Sequence, residues 1–321
     1  MPTVINSAAV VADFGAYFID NGQNEGNIHS RLMEPFGTMD AFSIVETEDT
    51  ILRASNASYS EVLQSFQKTF TPKGGVAFVP KTIALFNVKV DESFYPDDLK
   101  NQWLSFFTSN NLDRTEWPFV RWFIEIYVMK QINKDLEMKA IYGGAYVAPT
   151  AGTANAAEQV MNGIKKTINA AITAALNGPL LTGAPSADAV AWCEQIEAFV
   201  KQIPELYWHF PMGLNMSRAL ELRYREGRRK KYNINYAQVA DLTKVENFEN
   251  INVVGRASQT GSSKIWCTPK GNAVLAMKGG SNKSIMEVEK VDRQVKCYTD
   301  WWMGLGFIDD GLVFTNDVEL T

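Results

Sequence analysis

Residues 119–140 contain neither Gly nor Pro, and apolar side chains at Val120, Phe123, Ile124, Tyr127, Val128, Ile132 and Leu136 recur at steps of three and four. Such a stripe forms one face of an amphipathic α-helix. At about 1.5 Å per residue the helix spans roughly 35 Å. Thr115 is placed to cap its start, with Pro118 in the first turn, and Gly143-Gly144 closes it. A rod of that length fixes the span of everything packed on it. It also divides the chain into a β-prone stretch before and a mixed stretch after.

Upstream, residues 1–55 read as an extended, weakly patterned arm. Asn21-Gly22, Glu25-Gly26, Pro35 and Gly37 break every period, and Phe42-Ser43-Ile44-Val45 is a short strand candidate. Structureless stretches beyond about 12–15 residues are uncommon inside a compact domain, so an arm of this length is expected to dock on a neighbouring subunit. Residues 61–70 and 76–90 are β-prone and flank Thr71-Pro72-Lys73-Gly74-Gly75, which is turn chemistry. A long hairpin is expected there. Pro96-Asp97-Asp98 puts acids at the first turn of a helix over 99–107, which Asn110-Asn111 ends.

Downstream, the small residues of 148–155 form a connector and a domain boundary. Val160, Ile164, Ile168 and Ile172 mark a helix over 156–176. Ser186 and Asp188 cap another that stops before Pro204, and Ser217 caps a third that runs to about Lys231. Residues 211–214 end a strand, and short strands follow at 251–255, 264–267, 273–277, 287–301 and 312–315.

Composition excludes more chemistry than it offers. Two histidines, His29 and His209, close the mechanisms built on three-His zinc sites or HExxH. Cys193, Cys267 and Cys297 are odd in number and far apart, which argues against a disulfide framework or a CxxC zinc site. A Cys193 or Cys267 pair with His209 is disfavoured by the apolar setting of Cys193. There is no GxSxG elbow. Gly279-Gly280-Ser281-Asn282-Lys283-Ser284 has Asn where a Walker A loop needs Gly, and Gly304-Leu305-Gly306 lacks a third glycine; both read as turns. The adjacent acids Asp97-Asp98 and Asp309-Asp310 point to different sides and make no acid/base pair. A net charge of −5 disfavours a bulk-basic nucleic-acid binder. No apolar run reaches the roughly 18–20 residues needed to span a bilayer, and the start lacks the basic residues of a signal peptide, so a cytosolic origin is expected.

Two features rise above background. Arg218, Arg223, Arg225, Arg228, Arg229, Lys230 and Lys231 form a basic run interrupted by Glu221 and Glu226, readable as a Glu–Arg paired helix face, a subunit salt-bridge network or a phosphate contact. Trp117, Trp122, Trp192, Trp208, Trp301 and Trp302 are core or interface anchors, or else stacking platforms for sugars.

The late stretches Ser258-Gln259-Thr260-Gly261-Ser262-Ser263-Lys264-Ile265 through Thr268-Pro269-Lys270-Gly271-Asn272, and Val288-Glu289-Lys290-Val291-Asp292-Arg293-Gln294-Val295-Lys296-Cys297-Tyr298-Thr299-Asp300-Trp301-Trp302-Met303-Gly304-Leu305-Gly306-Phe307, with Val313-Phe314-Thr315-Asn316, resemble phage coat proteins. The element order also resembles the tailed-phage major capsid protein of the Hong Kong 97-like fold, an α+β class. That resemblance implies an N-terminal arm (1–55), an extended hairpin or E-loop (56–95), a peripheral P-domain with a spine helix (96–149 and 286–321) and an axial α/β A-domain (150–285). It implies a non-enzymatic coat protein of a tailed bacteriophage or prophage. Such a protein self-assembles into the pentamers and hexamers of an icosahedral shell around a DNA genome, in a virion built in the host bacterial cytoplasm. The partners implied are further copies of the chain, a separate scaffolding protein, a portal and packaged double-stranded DNA in loose, non-specific contact. No cofactor, metal or membrane is implied.

Phe66, Phe70, Phe78 and Phe86 on the hairpin, and Arg228 and Arg229 on the basic helix, are the expected inter-subunit contacts. Other readings are an encapsulin-like compartment shell, a carbohydrate- or surface-binding module with exposed Trp rings, another virion part such as a tail or connector component, and an enzyme with an unrecognised site.

Overall fold

The computed structural model describes residues 37–96, 123–232, 242–279 and 287–320. In chain order the strands are β1 (Ser43–Thr47), β2 (Ile51–Tyr59), β3 (Val76–Ala84), β4 (Phe86–Phe94), β5 (Met212–Ser217), β6 (Lys244–Val245), β7 (Phe248–Arg256), β8 (Trp266–Cys267), β9 (Ala273–Lys278), β10 (Glu287–Val291), β11 (Gln294–Phe307) and β12 (Phe314–Thr315). Helix α1 is continuous, with π-helical Phe123–Val128, α-helical Met129–Asp135 and π-helical Leu136–Ala140; α2 is Ile164–Thr173, α3 Ala189–Gln202 and α4 Arg218–Lys231.

The first half of the molecule is organised by β11. Its residues 295–303 pair antiparallel with β4, 303–307 with β9 and 294–298 with β10, while β1 adds in parallel to β9. Successive side chains of a strand point to opposite faces. Val295, Cys297, Trp301, Met303, Leu305 and Phe307 therefore enter one core, together with Leu275 and Met277 of β9. The apolar stripe of α1, namely Ile124, Val128, Ile132 and Leu136, closes that core with Ile164 and Ile168 of α2.

The opposite face is shaped by what β11 lacks. Val274 and Ala276 of β9 meet Ile83 and Leu85 there, opposite Gly306 and Gly304 in the ladder. A Cβ on Gly304 would lie 2.2 Å from the Ala84 carbonyl oxygen, and one on Gly306 would lie 2.8 Å from the Ile83 side chain. Bare backbone at these two positions lets the root of the β2–β3 hairpin cross the sheet. Gly304-Leu305-Gly306 is thus not the turn expected from its composition, because these residues lie inside β11 and serve a close approach.

The second half has a mixed sheet in the order β12-β8-β5-β7-β6, with β5 and β7 parallel. Helices α3 and α4 cover it over a core that includes Trp192, Phe199, Leu214, Tyr224 and Ile251. Both helices start on side-chain caps. Asp188 accepts from the Ala191 N–H at 2.9 Å, and Ser217 accepts from the Leu220 N–H at 3.4 Å. The halves meet at Trp266, a β8 residue whose ring lies in the first core, edge-on to Phe307 at 5.8 Å and 6.1 Å from Phe42.

Several boundaries differ from the sequence expectation: a strand begins rather than ends at Met212, and 287–301 is divided between β10 and β11 by the turn at Asp292-Arg293. The hairpin pairs residues 51–59 with 76–84, and residues 61–70 are not a strand. β4 leaves the hairpin because β11 offers it a nine-residue ladder. Between residues 37 and 55 the arm is ordered by pairing, since β1 lies beside β9 and β2 belongs to the hairpin. The helix expected over 156–176 is α-helical only over α2, since Gly163 before it is extended at φ −84, ψ 178 and Ala175 beyond it takes φ 54. The helix expected over 99–107 lies outside the described residues. Among the described residues no helix is long and apolar enough to cross a membrane.

Overpacking a close contact costs about 1–3 kcal/mol. Gly304→Ala is expected to lower unfolding stability by that order in urea titrations. Gly178→Ala, with nothing within 4 Å of the added carbon, is expected to change it by less than about 0.5 kcal/mol.

Candidate interaction surface

Strands β2 and β3 form a two-stranded sheet of their own. Beyond them residues 60–75 continue without ladder pairs but tied across. The Gly75 N–H donates to Ser60 Oγ at 2.6 Å, Gln64 Nε2 to the Thr71 carbonyl at 2.7 Å and Lys73 Nζ to the Leu63 carbonyl at 2.6 Å. Lys73 also pairs with Glu61 at 3.1 Å. This narrow loop presents Val62, Leu63, Phe66 and Phe70 to solvent, with Phe66 93% and Phe70 90% exposed. Burying one such side chain is worth about 1.5–3 kcal/mol, and a two-stranded hairpin alone is marginal in water. At its other end the hairpin is anchored, because Lys81 of β3 pairs with the buried carboxylate of Asp310. The result is an apolar tip on a fixed root, the pattern of a surface that a partner removes from water.

The other expected contacts are placed differently. Phe86 is half-buried on the first core, its ring 4.5 Å from that of Tyr146. Phe78 lies on β3, and its side chain is outside the described residues.

The basic run is α4, and much of its charge is used inside the subunit. Arg228 is buried, donating to the Lys244 carbonyl at 2.5 Å and to Glu246 at 2.9 Å. Its guanidinium is thus engaged within the chain. Arg229 is half-buried. Arg223 donates to the Ser186 carbonyl at 2.8 Å, and Lys231 joins α4 to α3 through Glu197 at 2.8 Å. Burial alone would raise the Glu197 carboxyl, but its bonds from Lys231 and Tyr232 and the Lys231 charge hold it below the ordinary carboxylate value.

The nucleophile candidates are closed in. All three thiols are buried. Burial pushes Cys193 up to about 12, with Glu197 adding to it, and does the same to Cys297, to which Glu92 adds. Cys267 is pushed up as well. A thiol held protonated is a poor nucleophile. His209 is exposed, and His29 lies outside the described residues. Asp310 is committed to Lys81, while Asp309 caps a turn by accepting from the Gly311 N–H at 2.9 Å. The Gly279 to Ser284 stretch is described only at Gly279, and Asp97-Asp98 not at all. Among the described residues no group of three His, Cys, Asp or Glu side chains could hold a metal ion.

The described Trp rings are also occupied. Trp192 and Trp301 are buried, Trp208 is edge-on to Phe248 at 5.0 Å, and Trp302 lies under Lys278 at 4.7 Å. No described Trp ring stands exposed as a sugar platform.

If Arg228 acts within the subunit, Arg228→Ala is expected to cost stability of about 1.5–3 kcal/mol, the scale of a charged hydrogen bond. Its self-association, by sedimentation velocity under native conditions, is expected to match the unchanged protein.

No protein-family profile and no curated protein matches the chain. Solved structures do. A chain of the satellite phage P4 procapsid, whose structure includes the size determination protein, is similar over 91% of this chain and 89% of its own, with a TM-score of 0.57 at 11% identity. A chain from the capsid of the native GTA particle covers 87% and 89%, with a TM-score of 0.52 at 11% identity. One from the capsid of the Myoviridae phage XM1 covers 85% and 88%, with a TM-score of 0.51 at 13% identity. The chain therefore shares, over most of its length, a mixed helix-and-sheet fold with chains of phage and GTA capsid structures.

Proposed function

We propose that this chain is the major capsid subunit of a tailed bacteriophage or prophage, with the Hong Kong 97-like arrangement. In this reading β2, β3 and the 60–75 loop are the extended E-loop and α1 is the spine helix of the P-domain. The half built on β5 and β7 is the A-domain. The observation that carries the reading is the apolar tip of the hairpin, held on a fixed root in a fold shared with capsid chains. A monomer gains nothing from exposing Leu63, Phe66 and Phe70 together. A shell subunit gains what the neighbouring copy buries, and head-to-tail contacts of this kind close into rings.

Phe66 and Phe70 are the proposed inter-subunit anchors, with Phe78 and Arg229 as further candidates. Pentamers and hexamers of an icosahedral shell in a virion, assembly in a host bacterial cytoplasm, a separate scaffolding protein, a portal and loosely held double-stranded DNA complete the reading. The occupied Trp rings do not favour a carbohydrate-binding module.

The test is light scattering over a concentration series, with negative-stain imaging of the heavy fraction, for the unchanged chain and for the double variant Phe66→Ser with Phe70→Ser. The expected result is rings or closed particles for the former, and a large loss of assembly at unchanged melting temperature for the latter. Monodisperse monomer for both, with and without added scaffolding protein, would overturn the proposal.

A further inference from the structure

Trp266 of β8 and Val313, next to β12, enter the first core from the second half, and polar contacts join the halves beside them. Thr38 Oγ1 donates to Glu137 at 2.6 Å and lies 2.6 Å from Ser258 Oγ, and Tyr142 OH lies 2.6 Å from Ser262 Oγ. Residues 314–320 cross this joint. They grip the second half first, with β12 laddered to β8. Both ends of the Asn316 amide are then used, its Oδ1 accepting from the Ile265 N–H and its Nδ2 donating to the Ser263 carbonyl, each at 3.0 Å. Asp317 accepts from the N–H groups of Thr182 at 3.1 Å and Gly183 at 2.8 Å.

Glu319 is where the segment reaches α2 of the first half. Its carboxylate meets Lys165 at 3.6 Å, and its carbonyl accepts from Asn169 Nδ2 at 2.9 Å. The same carboxylate accepts from Ser262 Oγ at 2.9 Å and from the Ser263 N–H at 2.5 Å. Beneath it the fully buried Lys264 donates to the Val318 carbonyl at 3.1 Å. Burial holds this amine down at about 8, with Glu319 opposing the fall and Lys165 adding to it. Glu319 itself takes left-handed backbone at φ 51, a conformation that a residue with a side chain keeps only when its contacts hold it there. Glu319 thus holds the 262–264 segment and α2 at once.

We propose that the C-terminal segment 314–320 is a clasp that locks the two halves in one relative setting, with Glu319 as its catch on α2 and its release freeing the halves to turn about Trp266 and Val313. This inference does not rest on the capsid reading, because it concerns one subunit.

The experiment compares the full chain with Glu319→Ala and with the conservative Glu319→Gln. Hydrogen–deuterium exchange is read at α2, 314–318 and β5, and distances are read between spin labels on α1 and α3. In Glu319→Ala the expected result is at least tenfold faster exchange of α2 and 314–318, unchanged exchange of β5 and a broadened label-to-label distance distribution. Glu319→Gln, which keeps the acceptor but not the charge, is expected to fall between. Exchange at α2 and a distance distribution that match the unchanged chain in both variants would overturn the clasp, as would a uniform rise across β5, which reports general loosening.

Discussion

The subunit depends on the two-residue period of β11. One parity carries Val295, Cys297, Trp301, Met303, Leu305 and Phe307 into the core under α1. The other carries Gly304 and Gly306 under the hairpin root. Both faces of one strand are used, one for bulk and one for the absence of bulk. A slip of one residue would exchange them, driving the apolar set against Ala84 and Ile83 and leaving glycines in the core. The position of the hairpin, and so of its apolar tip, follows from that register.

From this constraint the division of labour in the molecule can be argued. The first half supplies a rigid platform in which the Lys81–Asp310 pair and the glycine pair fix where the hairpin leaves. The second half is closed by its own charge network, with Arg228 and Lys231 turned inward to Glu246 and Glu197. The most exposed large apolar side chains include Leu63, Phe66 and Phe70 on the hairpin loop, with Leu181 and Leu206 on the second half. On the proposed capsid reading, a narrow apolar loop can follow small changes in a neighbouring copy's position while the rest of the chain keeps its own core.

Local signals were legible in the sequence and non-local ones were not. The caps Asp188 and Ser217, the stop before Pro204 and the end of α4 at Lys231 lie where the residues indicate, since capping and breaking are decided within a few positions. Strand existence was readable for β7, β9 and β12. The hairpin register was not, because the partner of residues 86–94 is β11, some two hundred residues away. Arg228 read as one charge among seven, and only Glu246 and the Lys244 carbonyl, brought beside it by folding, make it a buried anchor. Of the four hairpin aromatics named from the sequence, Phe66 and Phe70 lie exposed on the 60–75 loop. Phe86 looked equivalent to them until Tyr146 and the first core closed over it.

We propose that the 60–75 loop is a contact between copies of the chain. Hydrogen–deuterium exchange of that loop, measured in the heavy fraction and in the dispersed subunit of one preparation, tests it most directly. Strong protection of residues 60–75 is expected in the heavy fraction alone, while β11 is protected equally in both. Equal, fast exchange of the loop in both fractions would contradict it.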